Sequence, residues 1–351
     1  MKKKTLIVAA SLLLCFSTSR AASWGPCLFE AFPEETKAEQ PITTETQKEK
    51  KRITIFTIGD STMADKAIDS NKQERGWAMM LQGFFPKGVD VDNHALNGYS
   101  SKSFIDNGKW QAVLDKLQAG DYVIIQFGHN DEKANPARHT DPGSTFDDNL
   151  RKFVNETRAK GATPILMNSI VRRKFYQDAN AVAADDNRVS ELKKVTEGDT
   201  LIDTHGAYLV PPRTVAEEMG VVFVDANKIT HDLIQPMGPE DSKRLFMWIK
   251  PGEYEVYKDG RQDDTHLNVF GARTICRALI QAVCEKVPEL AKLEKDFDIV
   301  VSQQGRGEFF DLQQAVNSVP AGKKCRILVA DGEFGDVQKP KGSKVKIIKR
   351  K

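Results

Sequence analysis

The 351-residue chain is 40% apolar and 28% charged, a balance typical of a globular protein rather than of a disordered one. Its 51 basic and 49 acidic residues leave a formal net charge of +2, and no basic stripe with interleaved aromatic residues occurs. This argues against a nucleic-acid-binding protein. The length suits one large domain or two small ones.

The N-terminus has the pattern of a secretory signal peptide. Lys2-Lys3-Lys4 precedes an apolar run from Leu6 to Phe16, and small residues follow through Ala21-Ala22. The run is too short for a permanent bilayer anchor, and bulky Leu14 before Cys15 disfavours lipoprotein processing. We therefore expect residues 1–22 to be a cleaved signal and the mature protein to be secreted or periplasmic, with no stable membrane anchor.

Residues 23–52 are mostly polar and predict a linker, so a folded domain is expected to begin at Ile53. Apolar or mixed runs that suit strands covered on both faces then recur along the chain. They are Ile53–Ile58, Val89–Ala95, Tyr122–Phe127, Pro164–Val171 and Val221–Val224.

Helical patterns alternate with these strands. One surrounds Trp110 to Leu117, a second runs from Phe146 to Thr157, and a third from Val269 to about Lys286. Asp178 to Asp199 is polar and also predicts a helix, without an assigned role. Alternating strands and helices predict a three-layer α/β/α sandwich with a doubly wound, flavodoxin-like parallel sheet over residues 53–290.

Polar residues follow three of the predicted strands. Ser61 lies in Gly59-Asp60-Ser61, Gly98 follows the second strand, and Asn130 follows the third. Asp263 and His266 come near the end of the same domain. Because parallel strands present their carboxyl ends at one edge, we expect these residues to meet there.

Together these residue types are the equipment of acyl transfer. His266 can take the proton of the Ser61 hydroxyl, and Asp263, three residues earlier, can orient the histidine ring. The Ser61 and Gly98 N–H groups and the Asn130 amide can stabilise an oxyanion. Each motif alone is typical of an ordinary turn or surface pair, but their joint occurrence favours the catalytic interpretation.

These motifs resemble those of the SGNH, or GDS-type, hydrolases, and within them the rhamnogalacturonan acetylesterases. The matching stretches are Gly59–Ala64, Asn97–Ser101, Phe127–Asp131 and Asp263–His266. The resemblance implies an esterase that removes O-acetyl groups from an acetylated pectic polysaccharide or oligosaccharide, without a metal or other cofactor. A lipase or thioesterase of the same superfamily, and a pectin-binding protein without activity, are the alternatives.

Arg172 and Arg173 follow the fourth predicted strand, so we expect them to bind a galacturonate carboxylate. Their alternative role is that of surface charges packed on a helix. Residues 291–351 form a predicted β-rich appendage that resembles the opening coil of a pectin methylesterase, cut short before that family's catalytic aspartates. We expect this segment to catalyse nothing and to be dispensable after about Lys292.

Overall fold

The computed structural model describes residues 52–68, 72–176 and 198–350. The predicted signal peptide, residues 23–51 of the linker and most of the stretch Asp178–Asp199 lie outside these ranges. The strands are Ile53–Gly59 (β1), Glu74–Arg75 (β2), Val89–Asn93 (β3), Tyr122–Gln126 (β4), Thr163–Met167 (β5), Phe175–Tyr176 (β6), Thr200–Leu201 (β7), Val222–Val224 (β8), Phe246–Ile249 (β9), Arg261–Asn268 (β10), Ile299–Ser302 (β11), Lys324–Asp331 (β12) and Lys344–Lys349 (β13).

The described α-helices vary from single turns to five turns. They are Ser101–Asp106 (α1), Lys109–Leu114 (α2), Thr145–Ala159 (α3), Pro211–Met219 (α4), Ala226–Ile234 (α5), Gly238–Asp241 (α6), Val269–Lys286 (α7), Pro288–Ala291 (α8) and Leu312–Asn317 (α9). A 3-10 helix covers Trp77–Phe84. In the described part of the chain, no helix has both the length and the apolar character needed to cross a bilayer.

Five parallel strands form the central sheet in the order β3-β1-β4-β5-β8. The chain starts in β1, moves outward to β3, and then returns past β1 to β4, so the topological switch lies between β1 and β4. Ligands bind outside the carboxyl ends of strands at such a switch. The predicted doubly wound α/β/α sandwich is confirmed.

Alternate side chains of the central sheet enter two separate cores. Ile55 and Ile124 pack with α7 on one face, whereas Phe56 and Val123 pack with α2 and α3 on the other, and all four are buried. Because both faces are covered, the strands read as apolar runs rather than alternating patterns. The two helical layers therefore fix the height and tilt of the strands that carry the motifs.

A second, antiparallel sheet was not anticipated from the sequence. Its strand order is β2-β10-β9, and its longest strand, β10, contains the Asp263–His266 motif. Pairing with β9 shifts register between Asp263 and Leu267, so regular strand geometry is interrupted at the motif. Its strands β2 and β10 are polar and β9 has only four residues, so a search for long apolar runs does not find the sheet.

The C-terminal segment forms a third sheet, with three parallel strands in the order β11-β12-β13. It packs on the sandwich: the guanidinium of buried Arg273, in α7, lies 3.7 Å from the Phe84 ring centroid and 3.3 Å from the Glu308 carboxylate. The same guanidinium donates to the Phe297 carbonyl at 3.2 Å, and Gly83 lies against Val300. The segment is therefore docked on the sandwich.

These contacts predict that ending the chain at Lys292 destabilises the sandwich, contrary to the expectation from sequence. Arg273 would lose its carboxylate and carbonyl partners, and apolar surface around Phe84 would face water. We expect the free energy of unfolding to fall by at least about 2 kcal/mol in urea titrations.

Glu308→Gln tests the ion pair inside the full chain, with Glu333→Gln, an exposed carboxylate of the same segment, as the matched control. The first should destabilise by about 1–2 kcal/mol and the second by less than about 0.5 kcal/mol. A shortened chain as stable as the full one would refute the prediction.

Candidate active site

The turn after β1 is shaped by close packing against β4. A Cβ atom on Gly59 would lie 2.5 Å from the Gln126 carbonyl oxygen, so the strands approach this closely only with glycine there. The buried Asp60 carboxylate accepts from the Thr62 backbone N–H at 2.9 Å and from its hydroxyl at 2.8 Å. Burial raises the pKa of Asp60. Gly59 and Asp60 thus fix the shape of the turn. Ser61, the next residue, is partly exposed.

Ser61, His266 and Asp263 form a continuous chain of hydrogen bonds. The Ser61 Oγ atom lies 2.9 Å from His266 Nε2, and His266 Nδ1 lies 2.9 Å from Asp263 Oδ2. The histidine side chain is 26% exposed and the aspartate side chain 19% exposed. A serine hydroxyl, a histidine and a partly buried carboxylate in this order can generate a nucleophile and stabilise the imidazolium that results.

The other oxygen of Asp263 is occupied by its own loop. Asp263 Oδ1 accepts from the backbone N–H groups of Thr265 at 2.8 Å and His266 at 2.9 Å. Burial acts to raise the pKa of Asp263, but the hydrogen bonds and charge of His266 hold this pKa well below its usual range. Asp264 faces other partners: Arg173 Nε at 2.9 Å, Lys174 Nζ at 2.7 Å and Trp248 Nε1 at 2.9 Å.

A row of alternating charges continues from Asp263. Arg261 donates to Asp263 Oδ2 at 2.6 Å and to Glu74 Oε2 at 2.7 Å, and Glu74 Oε1 lies 2.9 Å from Lys66 Nζ. Burial acts to raise the pKa of Glu74, but the charge and hydrogen bond of Lys66 hold this pKa below its usual value. The Asp263 carboxylate therefore binds both the His266 ring and the Arg261 guanidinium.

Asn130 is joined to the loop that contains Gly98. Its Nδ2 atom donates to the Tyr99 carbonyl at 3.0 Å, which fixes the orientation of the amide. Gly98 has a φ of 77°, a conformation that glycine adopts without strain. The ends of β3 and β4 are thus tied together beside the end of β1.

Asp131 stabilises the loops that contain Asn130 and Ser101. Its carboxylate accepts from the backbone N–H groups of Gly128 and Ser101, each at 3.1 Å, and from the Thr140 hydroxyl at 3.0 Å. Burial raises the pKa of Asp131 to about 7, against the opposing effect of the hydrogen bonds from Ser101 and Thr140. The aspartate of the Gly-His-Asn-Asp motif therefore anchors the turn that presents Asn130.

Arg172 and Arg173 do not face solvent, so the structure does not support their expected role as carboxylate-binding residues. Arg172 is 2% exposed and is engaged by the buried Glu132 carboxylate and by the Thr204 hydroxyl at 3.0 Å. Arg173 is 4% exposed and donates to Asp264 at 2.9 Å. Both arginines lie at the carboxyl edge of the central sheet, as expected from their position after a strand. Their side chains are buried, however, and pair with the carboxylates of Glu132 and Asp264.

Comparisons with known proteins identify the family. Residues 57–274 match the model of the GDSL-like lipase/acylhydrolase family. The rhamnogalacturonan acetylesterase RhgT of Bacillus subtilis is 36% identical over 257 residues, covering 73% of this chain and 98% of that protein. The chain belongs to the GDSL-like lipase/acylhydrolase family. It is a carboxylic-ester hydrolase, and the resemblance drawn from its motifs is confirmed.

More distant relatives agree. A rhamnogalacturonan acetylesterase of Emericella nidulans is 26% identical, covering 66% of this chain and 84% of that protein. The crystal structure of YxiM from Bacillus subtilis superimposes with a TM-score of 0.51 at 24% identity, covering 67% of this chain and 57% of that one, which supports the fold. The family match ends at residue 274, so the likeness of the C-terminal segment to a pectin methylesterase stays a prediction.

Sequence reasoning missed several side chains that position the site of this GDSL-family esterase. Arg261 lies two residues before Asp263, so strand periodicity could have placed both on one face of β10. Glu74 and Lys66 carried no signal, because their pairing depends on the unpredicted antiparallel sheet. Among the described residues, no three His, Cys, Asp or Glu side chains are arranged to hold a metal ion.

The raised pKa of Asp131 predicts a pH-dependent stability. Its carboxyl binds a proton more tightly in the folded protein than in the unfolded chain, where the reference pKa is 3.8. Its stabilising contribution is therefore complete near pH 4 and is lost as the pH rises through 7, by up to about 4 kcal/mol. The destabilisation caused by Asp131→Asn, relative to the wild type, should be largest near pH 4 and smaller at pH 8.

Urea unfolding at intervals between pH 4 and 8 measures this difference. Asp148→Asn, which changes an exposed carboxylate on α3, is the control and should show little variation with pH. A destabilisation by Asp131→Asn that grows as the pH rises would contradict the prediction.

Proposed function

We propose that this esterase is exported and removes O-acetyl groups from rhamnogalacturonan through a Ser61–His266–Asp263 triad. The observation that carries the mechanism is the pair of 2.9 Å hydrogen bonds through His266. The substrate is supported by the 36% identity to a rhamnogalacturonan acetylesterase across nearly its whole length. Export is supported by the signal-peptide pattern at the N-terminus.

In the proposed reaction, Ser61 Oγ attacks the acetyl carbonyl carbon while His266 Nε2 takes the hydroxyl proton. The oxyanion accepts hydrogen bonds from the Ser61 and Gly98 backbone N–H groups and from the Asn130 amide. His266 then gives the proton to the departing sugar oxygen, which leaves an acetyl ester on Ser61. Water, deprotonated by His266, hydrolyses that ester, releases acetate and restores the serine.

Ser61→Ala and His266→Ala should each lower kcat/KM for acetylated rhamnogalacturonan oligosaccharides by about 10⁴-fold, because nucleophile and base act as one unit. Acetate release measures the rate, and circular dichroism checks that the variants fold. Ser318→Ala, in the C-terminal segment, is the control and should keep wild-type activity.

A Ser61→Ala variant with more than about a tenth of wild-type activity would reject the triad. The substrate is tested separately with the wild type. Faster acetate release from acetylated xylan fragments than from the pectic fragments would reject rhamnogalacturonan while leaving the triad in place.

Arg261→Gln should move the acidic limb of the kcat/KM profile to higher pH. Arg261 places a cation on the Asp263 oxygen that meets His266, and this cation disfavours the imidazolium. Removing it also leaves Glu74 with a less compensated negative charge near His266, which acts in the same direction. The plateau at alkaline pH should change less.

A pH profile of acetate release tests this effect. Arg151→Gln, which removes an exposed arginine paired with Glu218, is the matched control and should leave the profile unchanged. A purely structural role for Arg261 would lower activity equally at all pH values, and that outcome would refute the prediction.

A further inference from the structure

We propose that Arg138 binds a carboxylate of the substrate beside the acetyl group and thereby makes the enzyme selective for acidic sugars. This rests on the proposed function, because rhamnogalacturonan carries a galacturonate carboxylate. The assignment replaces Arg172 and Arg173, whose guanidinium groups are already paired in the interior.

The guanidinium of Arg138 lies against the backbone of Gly98. From the point that a Cβ atom of residue 98 would occupy, Arg138 Nη2 lies 3.6 Å away, Cζ 3.7 Å and Nη1 3.8 Å. Nearly equal distances to three atoms mean that the flat group covers Gly98 face-on. A positive charge therefore borders one of the proposed oxyanion donors, and the N–H groups of the guanidinium lie in the plane of the group beside the glycine.

The loop that carries Arg138 is held at both ends. It starts at Asn130 and closes where the Thr140 backbone N–H donates to the Asp131 carbonyl at 3.1 Å. Within it, the Arg138 backbone N–H donates to the Asn135 carbonyl at 2.8 Å. The arginine is thus positioned by the same turn that presents Asn130, rather than by a separate surface loop.

Arg138 has no partner for its charge among residues 52–68, 72–176 and 198–350. Its side chain is half-buried, and it makes neither an ion pair nor a hydrogen bond within these ranges. Lys133 lies nearby. Burial and the charges of Arg172 and Arg138 lower the pKa of that lysine, against the opposing charge of Glu132. Arg138 therefore brings an uncompensated positive charge to this rim of the site, where an anionic ligand would pair with it.

The chemistry of the guanidinium suits a sugar carboxylate. Arginine pairs with carboxylates through two parallel N–H···O bonds, which fixes orientation as well as charge. An acetyl group on a galacturonate ring is only a few bonds from the carboxylate of that ring or its neighbour. With the acetyl carbonyl at the Gly98 and Asn130 donors, a carboxylate of the same saccharide can reach the guanidinium over Gly98.

The test compares acetylated rhamnogalacturonan oligosaccharides with the same oligosaccharides after chemical reduction of their carboxylates to alcohols. We expect the wild type to prefer the acidic form by about tenfold or more in kcat/KM, mostly through KM. Arg138→Gln should abolish that preference, and Arg138→Lys should retain part of it. Arg151→Gln is the control and should keep the wild-type preference.

Equal losses on both forms with Arg138→Gln would overturn the proposal, because they would indicate a structural or oxyanion-supporting role. A wild type that does not distinguish the two forms would overturn it as well, while leaving pectin deacetylation intact. A wild type that releases acetate from neither form would instead overturn the proposed function, and the carboxylate site with it.

Discussion

The site depends on one imidazole that joins two sheets. Ser61 follows β1 of the parallel sheet, whereas His266 and Asp263 belong to β10 of the antiparallel sheet. The two hydrogen bonds of His266 therefore require both sheets at a fixed separation. The packing of α7 against the central sheet supplies that constraint, because α7 begins immediately after β10. A shift of this helix would move the histidine away from the serine without changing either strand.

Charge reinforces the same constraint. The row from Asp263 through Arg261 and Glu74 to Lys66 runs from β10 to β2 and on to the loop after β1. Partly buried pairs of this kind cost desolvation, so they contribute little net stability when complete but strongly penalise a missing partner. Their value here is positional. The pairs within the antiparallel sheet hold β10 against β2, and the Glu74–Lys66 pair ties that sheet to the loop after β1.

The elements that packing dictates were predictable, and those that polar contacts dictate were not. The helix Val269–Lys286 was predicted at its observed position because a helical pattern and a following proline both act locally. The sheet β2-β10-β9 was missed because β10 is polar, β2 has only two residues, and β2 and β10 pair over a long sequence separation. For the site, strand-end logic brought Ser61 and Asn130 to one edge, but it could not reveal that Arg261 shares the carboxylate of Asp263.

Burial decides which basic residues at this edge are available to a ligand. Arg172 lies at the carboxyl edge of the sheet, as the sequence indicated, yet the Glu132 carboxylate already neutralises it in the interior. Arg138 looked unremarkable in the sequence, because it sits in a polar loop with no periodic pattern. Arg138 differs from Arg172 and Arg173 in its surroundings: it is half-buried and its guanidinium lies over Gly98. The proposed recognition of an acidic sugar thus rests on a charge that the described part of the fold leaves uncompensated next to Gly98, a proposed oxyanion donor.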